Sequence, residues 1–157
     1  MSISFEHAED LPAQPGSADN FTGAVQVRMV AAGQEGPAGV GRVTFGRGGR
    51  THWHTHTGEQ TLYFLEGHGR AGVRGESPVD AEPGDLARIP AGAEHWHGAH
   101  PDEPHAMTHL SITFGTTTWL EPVSDGIFVL RFPDHPLTQV LQHIGAELVG
   151  PGNATRR

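Results

Sequence analysis

Short apolar segments separated by turn residues set the strongest constraint on this chain. AVQVRMV from Ala24, GVGRVTF from Gly39, QTLYFLEG from Gln60, GRAGVRG from Gly69, DLARIP from Asp85 and MTHLSITFG from Met107 are each of strand length. They are rich in Val, Ile, Thr, Leu and aromatic residues and are bounded by Gly, Pro or Asp, as strands are. Val25, Val27 and Met29 alternate with Gln26 and Arg28, the period of a strand with one buried face. With 22 Gly and 12 Pro in 157 residues, the chain suits many short strands joined by tight turns. An all-β sandwich or barrel of one domain is expected, because this length fills a single core and leaves little for a second.

The ends read differently. Residues 1–20 are polar and punctuated by Pro and Gly, and are expected to lie as an arm on a barrel formed by residues 21–126. In the extension, residues 127–157, GIFVLRF predicts one more strand. Leu137, Val140, Leu141, Ile144 and Leu148 then recur at helical spacing, with Asp134 as a candidate cap and Gly150-Pro151 as a stop. Gly145 inside that pattern costs about 1 kcal/mol relative to Ala. The expected helix packs on the barrel or on a partner subunit, and the tail GNATRR frays.

Composition removes several functions. A net charge of −8 with scattered arginines argues against nucleic-acid binding, which needs a basic footprint. The absence of cysteine removes disulfides, thiolate metal sites and cysteine nucleophiles, and is compatible with a reducing compartment. The acidic start MSISFEHAEDLPAQPG lacks a basic-then-apolar signal, and no apolar run approaches the roughly 20 residues of a membrane span. A soluble, cytoplasmic protein acting on a small molecule is expected. Exposed sheet edges invite pairing, so a homodimer is expected.

Histidine is the unusual entry in the composition, at 12 residues, with clusters HWHTH at 52–56 and EHWHGAHPDEPH at 94–105. Alternate side chains of a strand share a face, so His54 and His56 can point together while Trp53 and Thr55 face away. The next strand can add Gln60, and the DLARIPAGAEH segment His95. His52 has the same parity as His54 and His56, and Glu59 is a rival to Gln60 as the better donor. His7, His68, His100, His105, His135 and His143 read as surface residues.

These residues fall into a known pattern. From Gly48, GGRTHWHTHTGEQTLYFLEG resembles the first cupin motif, G-x5-H-x-H-x3-E-x6-G, with Gln60 where Glu is usual. From Gly84, GDLARIPAGAEHWHGA resembles the second, G-x5-P-x-G-x2-H-x3-N, with Ala99 in place of Asn. The resemblance implies a cupin barrel, a double-stranded β-helix, with a metal held by His54, His56, Gln60 and His95. With Gln60 as ligand the cation keeps its full charge, which favours Lewis-acid and proton-transfer chemistry and disfavours oxidation of a ferrous centre. Imidazoles and an amide oxygen suit Mn, Fe, Co, Ni or Zn.

A narrower resemblance rests on Phe21-Thr22-Gly23, VTF at 43–45, RTHWHTH with Gln60, the EHWHGA run and Met107-Thr108-His109-Leu110. These look like the small bacterial cupins that include manganese-dependent hydroxynitrile lyases. That resemblance implies manganese, with His97 and His109 lining the pocket and Gly41 and Val43 on its wall; histidines so placed can take up and return the protons that cyanohydrin cleavage moves. It also departs from those lyases, because Thr113 stands where a Gln lines their pocket. The expected function is a metal-dependent carbon–carbon lyase or proton-transfer enzyme acting on a small hydroxy or carbonyl compound. A dioxygenase, favoured if Glu59 ligates, and a non-catalytic binding protein are the alternatives.

Overall fold

A computed structural model describes residues 3, 5–31 and 38–130. After a short 3-10 turn at Ala8–Asp10, the strands are β1 Gln14–Pro15, β2 Phe21–Thr22, β3 Val25–Ala31, β4 Ala38–Phe45, β5 Arg50–Thr51, β6 His54–His56 and β7 Gln60–Glu66. They continue as β8 Gly69–Val73, β9 Val79–Ala81, β10 Leu86–Ile89, β11 His95–Ala99, β12 Met107–Phe114 and β13 Thr117–Trp119, followed by the single-turn helix α1 Asp125–Phe128. All six apolar segments form strands. The further strands β1, β2, β5, β9 and β13 have two or three residues each, too few for alternation to mark them.

Two antiparallel sheets face one another. One runs β1-β3-β4-β12-β7-β10, and the other runs β13-β6-β11-β5-β2, with β8 paired to β11 and β9 to β8. The alternation seen in sequence puts Val25, Val43, Phe45, Leu62, Phe64, Ile89 and Met107 into one buried cluster between the sheets. Toward one end of the same interior the inward positions carry histidines instead of aliphatic residues.

A second apolar cluster lies on the outer face of the histidine-bearing sheet. Trp53 and Trp96, of opposite parity to His54 and His95, pack with Val123 and Phe128. Gly72 opposes Trp96 in the β8–β11 register, and a Cβ there would sit 2.5 Å from the indole nitrogen, so only glycine admits this ring. The segment after β13 covers the cluster and is tied down by buried arginines. Arg50 donates to the Val123 carbonyl and to Asp125, with its guanidinium 4.4 Å from the Phe128 ring centroid. Arg70 pairs with Asp80 and donates to the carbonyls of Phe128 and Leu130.

This packing corrects one expectation. The start of GIFVLRF is helical, because Ser124 caps α1 by accepting from the Ile127 amide and Phe128 turns into the tryptophan cluster rather than into a sheet. The helix expected over 137–148 lies outside the described residues. At the other end, β1 pairs with β3, and Glu9 bridges Arg28 and Arg42, so this part of the arm lies along the six-stranded sheet. Phe128→Ala should lower stability by about 3–5 kcal/mol, the usual cost of emptying a buried aromatic site; urea unfolding monitored by tryptophan fluorescence reads this directly.

Candidate metal centre

Strand register assembles the site. His95 of β11 lies directly opposite His54 of β6, and on the other side of β6 the residues Trp119 and Thr117 of β13 oppose His54 and His56. From the facing sheet, β12 sets Thr113 opposite Gln60 of β7, and it sets Ser111 and His109 opposite Gly41 and Val43 of β4. A cavity of about 290 Å³ opens between these strands. Gly41, Val43, Thr113, His54, His56, Gln60 and His97 all line it, as do Phe21, Met29, Thr117 and Trp119.

The imidazoles are oriented by what their Nδ1 atoms touch. His54 Nδ1 is 2.9 Å from the His52 carbonyl oxygen, and His95 Nδ1 is 2.9 Å from that of Ala93. A carbonyl only accepts, so both rings carry hydrogen on Nδ1 and turn a bare Nε2 into the interior. His56 Nδ1 is 2.9 Å from Thr117 Oγ1, and its buried Nε2 has no hydrogen-bond partner. The three rings crowd together, with centroids 4.1 Å apart for His54–His95, 5.0 Å for His54–His56 and 5.3 Å for His56–His95.

Gln60 supplies the most informative contact. Its amide nitrogen donates to Thr113 Oγ1 at 2.9 Å, and its Oε1 lies 2.9 Å from His95 Nε2. With the His95 hydrogen on Nδ1, that contact joins two lone pairs. A cation between them relieves it. A proton is a poor candidate, because burial pushes the His95 imidazolium down to about 4. Burial and the His95 charge push His54 down to about 2, and burial also lowers His56, with the Gln60 amide acting in the opposite sense. These donors are neutral at pH 7 and suited to a divalent metal.

His97 stands beside this group. One ring nitrogen from each of His54, His95 and His97 lies within 4.8 Å of the others, close enough for the three to share a metal ion. His97 Nδ1 meets His109 Nε2 at 3.0 Å, while His97 Nε2 is buried without a partner. His109 is fully buried against Phe45 and Phe64, and it lies behind His97 rather than on the cavity wall. Burial drives His97 well below the ordinary imidazole range and His109 to about 4.

The rivals fall elsewhere. Glu59 is exposed, whereas Gln60 is 4% exposed. The strand carrying His52 is broken between β5 and β6, so the parity drawn from sequence does not run through it; the contribution of His52 to the site is its carbonyl. His7, His68 and His105 are exposed as expected, but His100 is half-buried between Arg70 and Asp80. His135 and His143 lie outside the described residues. Sequence reasoning missed Thr117 and Trp119, for which only the β6–β13 register gives a signal, since the TTW stretch carries no motif.

The buried imidazoles make the metal-free fold acid-sensitive. Folded values near 2 to 4 lie below an unfolded value of about 6.5, so the unfolded chain takes up protons first. Stability is full above about pH 6.5 and falls as pH drops from there toward the folded values. The melting temperature of chelator-treated protein should be flat from pH 7 to 8 and decline steadily below pH 6.

The cupin-domain profile matches residues 41–113, the span that carries the donors. The (R)-mandelonitrile lyase of Granulicella tundricola is 39% identical over 115 residues, covering 70% of this chain and 86% of that protein. The acireductone dioxygenase of Gluconobacter oxydans is 31% identical over 83 residues, 51% of this chain and 43% of that protein. Among solved structures, a cupin-like protein of Thermotoga maritima superposes with a TM-score of 0.70 at 35% identity, covering 81% of this chain and 95% of the other. With two facing antiparallel sheets, a histidine-lined interior and these similarities over most of its length, the chain belongs to the cupin family.

Proposed function

We propose that this protein is a divalent-metal-dependent lyase that cleaves a small cyanohydrin or a related hydroxy compound, with His54, His56, Gln60 and His95 holding the metal and His97 as the proton-transfer group. The observation that carries this reading is the unpartnered Nε2 of His97, buried on the cavity wall beside the donor group. Similarity to a mandelonitrile lyase supports it. A metal held there, manganese by the resemblance to the hydroxynitrile lyases, would supply a positive charge that favours the alkoxide form of a substrate hydroxyl.

The chain's own residues account for the rest. Burial keeps His97 neutral, so its Nε2 can accept the hydroxyl proton when Nδ1 donates to His109. As the carbonyl forms, the carbon–carbon bond breaks and its electron pair leaves with cyanide, which recovers the proton from His97. His109 holds the His97 ring in the tautomer this requires and acts through it rather than on substrate. Phe21, Met29, Val43 and Trp119 give the cavity an apolar wall that suits the aryl or alkyl part of the substrate and excludes water. Burial of Gln60 and exposure of Glu59 support the neutral donor set and leave the dioxygenase alternative without the carboxylate that would favour it.

Manganese-loaded protein should release benzaldehyde from mandelonitrile above the buffer rate. His97→Ala should lower the rate by about 100-fold or more, the usual weight of a general base, and His109→Ala should lower it less. Rates equal to buffer, or unchanged in His97→Ala, would sink the proposal. Gln60→Glu should raise metal affinity by adding a charge to the donor set while lowering kcat, because the added carboxylate weakens the pull on the substrate oxygen; calorimetric titration and the benzaldehyde assay separate the two effects.

A further inference from the structure

The donors proposed above are held in two different ways, and the difference has a consequence for metal binding. His54 and His95 donate to backbone carbonyls. A carbonyl cannot donate, so their Nε2 lone pairs always face the interior. Gln60 and His56 are held instead by hydroxyls, Thr113 Oγ1 and Thr117 Oγ1, each at 2.9 Å. A hydroxyl can either accept or donate. When Thr117 accepts from Nδ1, His56 presents a lone pair at Nε2; when it donates, His56 presents an N–H. When Thr113 accepts from the Gln60 amide nitrogen, Oε1 is turned toward the other donors; when it donates to the oxygen, the amide hydrogens are. Only the accepting state of each threonine leaves a donor atom available to a cation.

Both threonines flank one connection, the turn from β12 to β13 around Gly115, which has φ 77° and carries the chain from one sheet to the other. This turn is clamped onto the turn between β6 and β7. Thr57 donates its amide to the Thr116 carbonyl and Gly58 to that of Phe114, while the Thr116 amide donates to Thr57 Oγ1. A Cβ at position 115 would lie 2.1 Å from Thr57 Oγ1, so the clamp leaves no room for a side chain there. The register that puts Thr113 opposite Gln60 and Thr117 opposite His56 is therefore fixed by backbone contacts, and the two hydroxyls meet their partners without rearrangement.

We propose that Thr113 and Thr117 are positioning residues that orient Gln60 and His56 toward a divalent cation, so that the β12–β13 connection between the two sheets sets how tightly the site holds its metal. This rests on the donor set proposed above. It separates that set into a half fixed by the backbone, His54 and His95, and a half fixed by side chains. Removing either hydroxyl leaves an N–H of a metal-bound donor without its protein acceptor, a loss felt by the metal-bound form more than by the metal-free form.

The test is a titration of the chelator-stripped, full-length protein with Mn²⁺, with free Mn²⁺ read by electron paramagnetic resonance. Thr113→Val and Thr117→Val should each weaken binding about tenfold or more, and Thr113→Ser and Thr117→Ser should bind within about twofold of wild type. In a Gln60→Ala background Thr113→Val should cost less than about twofold further, and likewise Thr117→Val in a His56→Ala background. Far-UV circular dichroism of each stripped variant checks that it is folded, with Thr→Ala replacing any valine variant that is not. Valine variants that bind as wild type does, or that lose as much affinity in the alanine backgrounds as in wild type, overturn this proposal while leaving the donor set standing. Wild-type protein that takes up no Mn²⁺ overturns both.

Discussion

Several neutral, lone-pair-bearing groups are packed into a water-poor interior, and much of the site follows from that. Imidazoles with centroids 4 to 6 Å apart cannot all be protonated, because burial and mutual repulsion disfavour each charge. As neutral bases they turn unshared lone pairs toward one another, which is unfavourable until a cation lies among them. The contact between Gln60 Oε1 and His95 Nε2 shows this most clearly, since the carbonyl of Ala93 claims the only hydrogen that the ring carries. The barrel must hold these groups in place against their own repulsion.

It does so with the two sheets. The histidine-bearing sheet is packed on its outer face by Trp53, Trp96, Val123 and Phe128, and the covering segment is tied by Arg50 and Arg70. The six-stranded sheet is held together by the long β4–β12–β7 ladders. Outer packing and inner site are coupled through the strand itself: every residue that turns a histidine inward has a neighbour that turns a tryptophan or a threonine outward. The close approach at Gly98, where a Cβ would meet the Gly49 carbonyl at 2.4 Å, brings β11 and β5 together without a side chain between them.

His97 and His109 extend the same logic one layer inward. A neutral pair shares one hydrogen across its contact, and whichever ring donates, the other nitrogen of each is left without a partner in the protein. Buried polar atoms without partners are uncommon in folded proteins, and here one of the two belongs to a residue of the cavity wall. His97 lines the cavity, whereas His109 is packed behind it against Phe45 and Phe64.

The sequence by itself determined the strand-rich class, the family and the shared inward face of His54 and His56, because each of these depends on local period and spacing: His-x-His on one strand, glycines at the turns, apolar alternation elsewhere. It also marked Gly41, Val43 and Thr113 as lying near one another, though only by resemblance. Tertiary structure decided what local period cannot express. Burial distinguished Gln60 from Glu59, a broken strand removed His52 from the alternating set, and a capping serine with an aromatic anchor made a helical turn of Asp125–Phe128. Above all, the partners of the donor atoms, two backbone carbonyls and two threonine hydroxyls, arise from residues brought opposite one another by register or by bends in the backbone. Such pairings carry no motif, because a threonine in a three-residue strand looks the same in sequence whether it faces water or a histidine.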